Sequence, residues 1–106
     1  MSLELISELE KVIDDKTIAL IIENISINGY KNVYFFEDYN SYGFVQEGDT
    51  YLQNTPPLFD LFINSFQISL SVYGDLNDLE KIRKTVTECF KKHSVYIQLT
   101  EEGEDV

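Results

Sequence analysis

Residues 65–99, SFQISLSVYGDLNDLEKIRKTVTECFKKHSVYIQL, decide the fold class. Phe66, Ile68, Leu70 and Val72 alternate with Gln67, Ser69, Ser71 and Tyr73. An apolar residue at every second position sets one face of a strand on a core and leaves the other wet. Gly74 breaks the alternation, and Asp75, Asn77 and Asp78 follow. All three are helix-starting types. Asn77 with Glu80 three places on reads as a capping box, and Asp75 is the rival cap. Leu79, Ile82, Val86 and Phe90 then recur at helical spacing, with Cys89 beside the stripe. Glu80, Lys81, Arg83, Lys84, Thr87 and Glu88 cover the other faces, and Lys91, Lys92 and His93 suit the negative end of the helix dipole. Val95, Ile97 and Leu99 alternate with Tyr96 and Gln98, which predicts a second strand. A helix with one apolar stripe must lay it on the sheet to which such strands belong.

Toward the amino terminus the signals are mixed. Asn54-Thr55-Pro56-Pro57 is a firm break, since proline removes a ladder donor and restricts its predecessor. The apolar run 58–63 suits a helical turn or a strand, and periodicity does not choose between them. Phe44-Val45 and residues 50–53 read as short strands about a hairpin tip, Glu47-Gly48-Asp49. Residues 37–43 are turn-forming. Val33, Tyr34, Phe35 and Phe36 are apolar on both faces, which predicts a central or well-covered strand. Ser2 is placed to cap a helix from Leu3, with Leu5, Ile6, Leu9, Val12 and Ile13 as its stripe. Asp15 is placed to cap a second helical segment carrying Ile18, Ile21, Ile22 and Ile25, stopped by Asn28-Gly29. The rival for residues 17–27 is a strand, because Asn-Gly is also a hairpin signal. The helical spacing is the better match. The acidic residues 101–106 read as a frayed tail. The expectation is one α+β domain over residues 1–100. It has an antiparallel sheet of four or five strands, one or two amino-terminal helices, and a carboxy-terminal amphipathic helix packed on the sheet, ferredoxin-like in spirit.

Charge is the strongest compositional feature. The 106 residues carry a formal charge of −11, with 8 basic and 19 acidic side chains. Small domains usually carry a magnitude of about 2–8. Between Lys31 and Lys81 there is no Lys or Arg, while Glu37, Asp38, Glu47, Asp49, Asp60, Asp75, Asp78 and Glu80 all lie there. Five of the eight basic residues fall between Lys81 and Lys92. Such a field repels nucleic acid and anionic membrane and attracts basic surfaces. A solubilising role explains the acidity equally well. No apolar run approaches the roughly 20 residues of a membrane span. With no leader-like segment and a single cysteine, the expected location is a reducing cytoplasm.

Catalytic and metal-binding patterns are sparse. The lone histidine, His93, sits at a helix end among lysines, where complementing the dipole is the simpler role. Cys89 borders a buried stripe and behaves there as a small hydrophobe. One Cys and one His make no zinc site within the chain. Residues 75–78 lack the ligand spacing of a calcium loop. The five glycines are scattered, so no phosphate-binding loop is present. The expectation is no enzyme, no metal and no cofactor.

What remains is surface. Of the seven tyrosines, Tyr34, Tyr39, Tyr42, Tyr51 and Tyr73 interleave with the acids of the basic-free interval. Tyrosine buries apolar area and keeps a polar tip, which suits interfaces. The expected contact surface is Glu37, Asp38, Tyr39, Tyr42, Glu47, Asp49 and Asp75. Its expected partner is a basic protein, such as a nuclease or another nucleic-acid-acting protein, bound in the manner of an inhibitor or immunity protein whose acids stand in for phosphates. Direct nucleic-acid binding is not expected, because it needs a basic footprint. Tyr34 and Tyr51 read as ordinary strand residues.

Residues 65–92, a strand, a short turn at Gly74-Asp75 and an amphipathic helix, also resemble the compact α+β layout of phage tail-terminator and tail-completion proteins. The resemblance implies a ring-forming virion component that joins its neighbours through strands and loops. Self-association separates the two readings, since ring builders need two complementary patches per subunit.

Overall fold

The computed structural model describes residues 3–101. The chain runs β1 (Leu3–Glu8), α1 (Asp15–Ile27), β2 (Tyr30–Phe36), a 3-10 turn (Glu37–Tyr39), β3 (Ser41–Gln46), β4 (Phe59–Ile63), β5 (Gln67–Val72), α2 (Leu76–Lys91) and β6 (Thr100–Glu101). Six strands form one sheet in the order β2-β3-β4-β5-β1-β6. Every neighbouring pair is antiparallel. The class is α+β, with six strands rather than the four or five expected and one helix in the amino-terminal half.

β5 follows its alternation from Ile68 onward: Ile68, Leu70 and Val72 are buried and Ser69 and Ser71 are not, whereas Phe66, expected on the same buried face, precedes the strand and is 78% exposed. Its register sets Leu70 between Leu61 of β4 and Leu5 of β1 on one face. α2 lays Ile82, Val86, Cys89 and Phe90 on that same face, and α1 adds Ile21 and Ile25. The face is closed by Phe44 stacked on Phe59, with Tyr30 edge-on to Phe59 at 5.1 Å. Each such burial is worth about 1.5–3 kcal/mol, so this core fixes which face of the sheet is covered. Asp75, not Asn77, caps α2, its Oδ1 accepting from the Asn77 N–H at 3.1 Å. α1 is the helix favoured for residues 17–27. Asp14 caps it rather than Asp15, accepting from the Thr17 N–H at 2.7 Å, and it stops at Asn28. Gly29, at φ +100°, turns the chain into β2.

Five expectations are corrected. Residues 3–8 form a strand, not the first turns of a helix. Pairing with β5 over six residues outweighs a helical stripe in which Ile6 would have to be buried beside Leu5. Instead Leu5 and Ser7 point inward and Glu4 and Glu8 outward. The Ser2 cap lies outside the described residues. β2 is an edge strand, not a central one. Its two-sided apolarity comes from aromatic pairs on both faces, Phe35 on Tyr42 and Phe36 against Tyr34. Residues 50–53 form no strand, because β2 and β4 already occupy both edges of β3. Residues 95–99 alternate as expected, with Leu99 buried and Tyr96 72% exposed, but join no ladder. The Gln98 N–H bonds instead to the buried Ser7 hydroxyl at 2.9 Å, and only Thr100 and Glu101 pair with β1. Glu101 is therefore part of the sheet rather than the tail, and the remaining tail residues lie outside those described. The run 58–63, left open between helix and strand, supplies β4.

Candidate functional site

With both helices on one face, the other face of the sheet is largely uncovered. The register lays one row across it: Tyr34, Gly43, Asp60, Ser71 and Glu4, contributed by β2, β3, β4, β5 and β1 in turn. A second row holds Phe36, Ser41, Phe62, Ser69 and Ile6. Asp60 is the centre of the first row. The Tyr34 hydroxyl donates to Asp60 Oδ1, and the Tyr73 hydroxyl donates to Oδ2 at 2.8 Å. Burial, then the bond to Asp60, pushes the Tyr73 phenol up to about 12. The same causes, in the same order, push Tyr34 further up. Both phenols therefore stay protonated and donate at neutral pH. The Tyr34 ring lies flat over Gly43, where a Cβ would overlap it, and packs against Phe36 at 4.7 Å and Tyr51 at 5.9 Å. Tyr51 comes from the loop between β3 and β4. With Val45, Pro57, Leu58 and Tyr73 it lines a shallow cleft of about 450 Å³ beside the row.

Cations are concentrated in the helical layer, whereas acids occur in both layers, with Asp15, Glu23, Asp78, Glu80 and Glu88 on the helices. Lys31 is the one cation on any described strand. Lys16, Lys81, Arg83, Lys84 and Lys91 are on the helices, Lys92 ends α2, and Lys11 is in the connection before α1. Glu4, Glu8, Asp60 and Glu101 are on the strands.

The residues expected to form a contact surface fall into two groups. Glu37, Asp38 and Tyr39 are exposed on the 3-10 turn between β2 and β3. Glu47 and Asp49 are exposed in the turn after β3, and Asp75 is exposed at the start of α2. The register puts these last three at the opposite end of the sheet, the length of β3 away, or ~20 Å at about 3.3 Å per residue. Tyr42 belongs to neither group. It is half-buried on the helix-covered face, stacked on Phe35 at 4.6 Å, and burial pushes its phenol up. The uncovered face joins the two ends.

Asp60 was visible in the sequence only as one acid among several. The signal that marks it is its place as the single charge in the apolar run 58–63: inside a strand it must face away from the core and find donors. Tyr34, read as an ordinary strand residue, is one of those donors.

Elsewhere, polar groups pair structurally. The Asn24 side-chain amide is hydrogen bonded to His93 Nε2 at 2.6 Å, tying α1 to the end of α2. Asn28 donates to Cys89 Sγ at 3.7 Å, and burial pushes that thiol up. His93 and Cys89 thus each bond to α1, and neither bonds to the other. Among the described residues, no three of His, Cys, Asp and Glu gather as a metal-binding group, and no helix is long and apolar enough to cross a membrane. Comparisons of the chain with protein-family models, curated proteins and solved structures gave no match.

Proposed function

We propose that the chain is a non-enzymatic acidic binding module that docks on a basic surface of a partner protein, as an inhibitor or immunity protein docks on a nuclease or another nucleic-acid-acting protein. The scarcity of cations on the uncovered sheet face carries this reading. The uncovered sheet face and the loops at its two ends hold acids and aromatic rings, with Lys31 at the rim, while the other cations sit on or beside the helices. A surface so arranged presents one sign of field to an approaching partner, which speeds encounter and selects basic patches. The aromatic rings supply contact area at little entropic cost. The acids at the two ends, ~20 Å apart, suit a partner broad enough to span the face between them.

The test is capture from a lysate of the source cell at low and at high salt. Recovery of a basic nucleic-acid-handling protein that salt strips away is the expected result, because ions screen steering between opposite fields. Glu47→Lys with Asp49→Lys should abolish that capture and leave folding unchanged within about 0.5 kcal/mol. Unchanged capture would remove these two acids from the contact surface.

The second reading is a phage structural component of the tail-terminator or tail-completion type. The observation that favours it is the free outer edge of β2, where Phe35 is 45% and Phe36 55% exposed. Strand edges of that kind join subunits. A salt-resistant assembly of the chain with itself would support it.

A further inference from the structure

We infer that the recess around Asp60 on the uncovered sheet face receives an arginine side chain of the docking partner. This rests on the acidic-module reading and names the place where one basic group would seat.

The recess is built by the register. Asp60 has Gly43 directly across on one side and Ser71 on the other. Neither is tall enough to cover the carboxylate, and Gly43 is itself hidden under the Tyr34 ring. The rings of Tyr34, on β2, and Tyr73, just past the end of β5, converge on Asp60, each hydroxyl donating to a different carboxylate oxygen. Every carboxylate oxygen has room for a second donor. The phenols use one position on each oxygen and hold the carboxylate fixed. Their own oxygens, already committed as donors, can only accept, and that of Tyr73 already has the Ser71 hydroxyl beside it. The recess therefore offers acceptors and ring faces.

A guanidinium supplies the complement. It carries a fork of donors, stays charged, and stacks on aromatic rings. Seated over Ser71 it lies one strand spacing, about 4.8 Å, from the row positions of Asp60 and Glu4. Glu4 lies close enough to Tyr73 to act on its phenol electrostatically, so the far side of the seat is negative too. A lysine ammonium is a more strongly hydrated point charge without the fork, and it fits this seat less well. A purely structural role for the cluster, fastening β2 to β4 and β5, would also explain the two hydrogen bonds. It predicts no selectivity for arginine.

The experiment titrates the full chain with two blocked tripeptides, acetyl-Gly-Arg-Gly-amide and acetyl-Gly-Lys-Gly-amide, at low salt by heteronuclear NMR. The expected result is saturable shifts centred on Tyr34, Asp60, Ser71 and Tyr73, with the arginine peptide several-fold tighter. Asp60→Asn should weaken it roughly tenfold or more. Ser71→Leu fills the seat and should do the same, while Ser71→Ala, which removes only the hydroxyl beside the Tyr73 phenol, should bind like the wild type; the pair keeps the test intact if Asp60→Asn unfolds. Equal affinity of the two peptides, or binding unchanged in folded Ser71→Leu, would overturn the inference. Shifts confined to Glu37, Asp38, Glu47 and Asp49 would overturn it while leaving the acidic-module reading in place. No shift anywhere at low salt would remove both.

Discussion

Tyr34 and Gly43 share one space. The ring fits flat on the sheet because its cross-strand neighbour has no side chain, and only from there does the hydroxyl meet Asp60. Gly43→Ala should therefore cost about 1–3 kcal/mol, the usual penalty of overpacking. In a Tyr34→Ala background the same change should cost much less, since nothing remains to displace. A double-mutant cycle of urea unfolding measures that coupling; simple additivity would show that the ring does not rest on Gly43. Tyr73 gives a pH signature. Its folded value of about 12 lies above the roughly 10 of an unfolded tyrosine. The stability this contributes is complete below pH 10 and is lost as the pH rises toward 12, because the unfolded chain releases its proton first. Tyr34 acts in the same direction, as do Tyr30 and Tyr42 through burial. Urea midpoints should thus fall between about pH 10 and 12, and Tyr73→Phe should flatten part of that fall. Identical slopes for wild type and variant would mean that the Tyr73 phenol is not held by Asp60.

At the scale of the element, the start of α2 separates two caps that the sequence offers side by side. The Asp75 carboxylate accepts the Asn77 N–H, so Asp75→Ala should lower stability by about 1 kcal/mol. Asn77→Ala should fall within the ~0.5 kcal/mol of an ordinary surface change. Thermal unfolding of the two variants decides it, and the reverse order would restore the capping box of Asn77 and Glu80. β5 and α2 were legible because period and end signals agree there: strict alternation, a glycine, an acidic cap, then a long apolar stripe. α1 was legible too, from its isoleucine spacing and its stop at Asn28, whereas several strands depended on neighbours that no local pattern names. Leu5, Ile6 and Leu9 satisfy a helical spacing, yet β5 needed a second partner strand, and residues 3–8 provide it. Phe35 and Phe36 look like core residues because aromatic pairing at a rim leaves the same composition as burial. Residues 50–53 have strand-forming types, but β3, which they follow, is already flanked on both sides by β2 and β4. The Asp60 cluster was hidden for the same reason. Its three members lie 26 and 13 positions apart, and only the register brings them together.

For the whole molecule, the question is whether salt should help or harm the fold. A charge of −11 on a body with a radius of gyration of 12.9 Å is self-repelling. At 0.01 M salt the screening length is about 30 Å, so every acid feels every other; at 0.1 M it is about 10 Å, and only neighbours interact. Against that repulsion stand surface pairs such as Glu80 with Arg83, an exposed i,i+3 contact of the kind worth about 0.3–0.5 kcal/mol. Screening removes more repulsion than attraction, so the urea midpoint should rise between about 0.01 and 0.2 M sodium chloride. Reversing Glu47 and Asp49 to Lys adds two charges at each position and moves the net from −11 to −7. That variant should start higher at low salt and respond less. Binding to a basic partner has the opposite sign, because ions screen the attraction that brings the two surfaces together. The two salt dependences therefore separate the roles of the acidity. If it serves only to keep molecules apart, salt raises the unfolding midpoint and no complex weakens as it does so. If it is a docking surface, the same increment of salt that steadies the chain should loosen its complex, and the Glu47→Lys, Asp49→Lys variant should blunt both responses together.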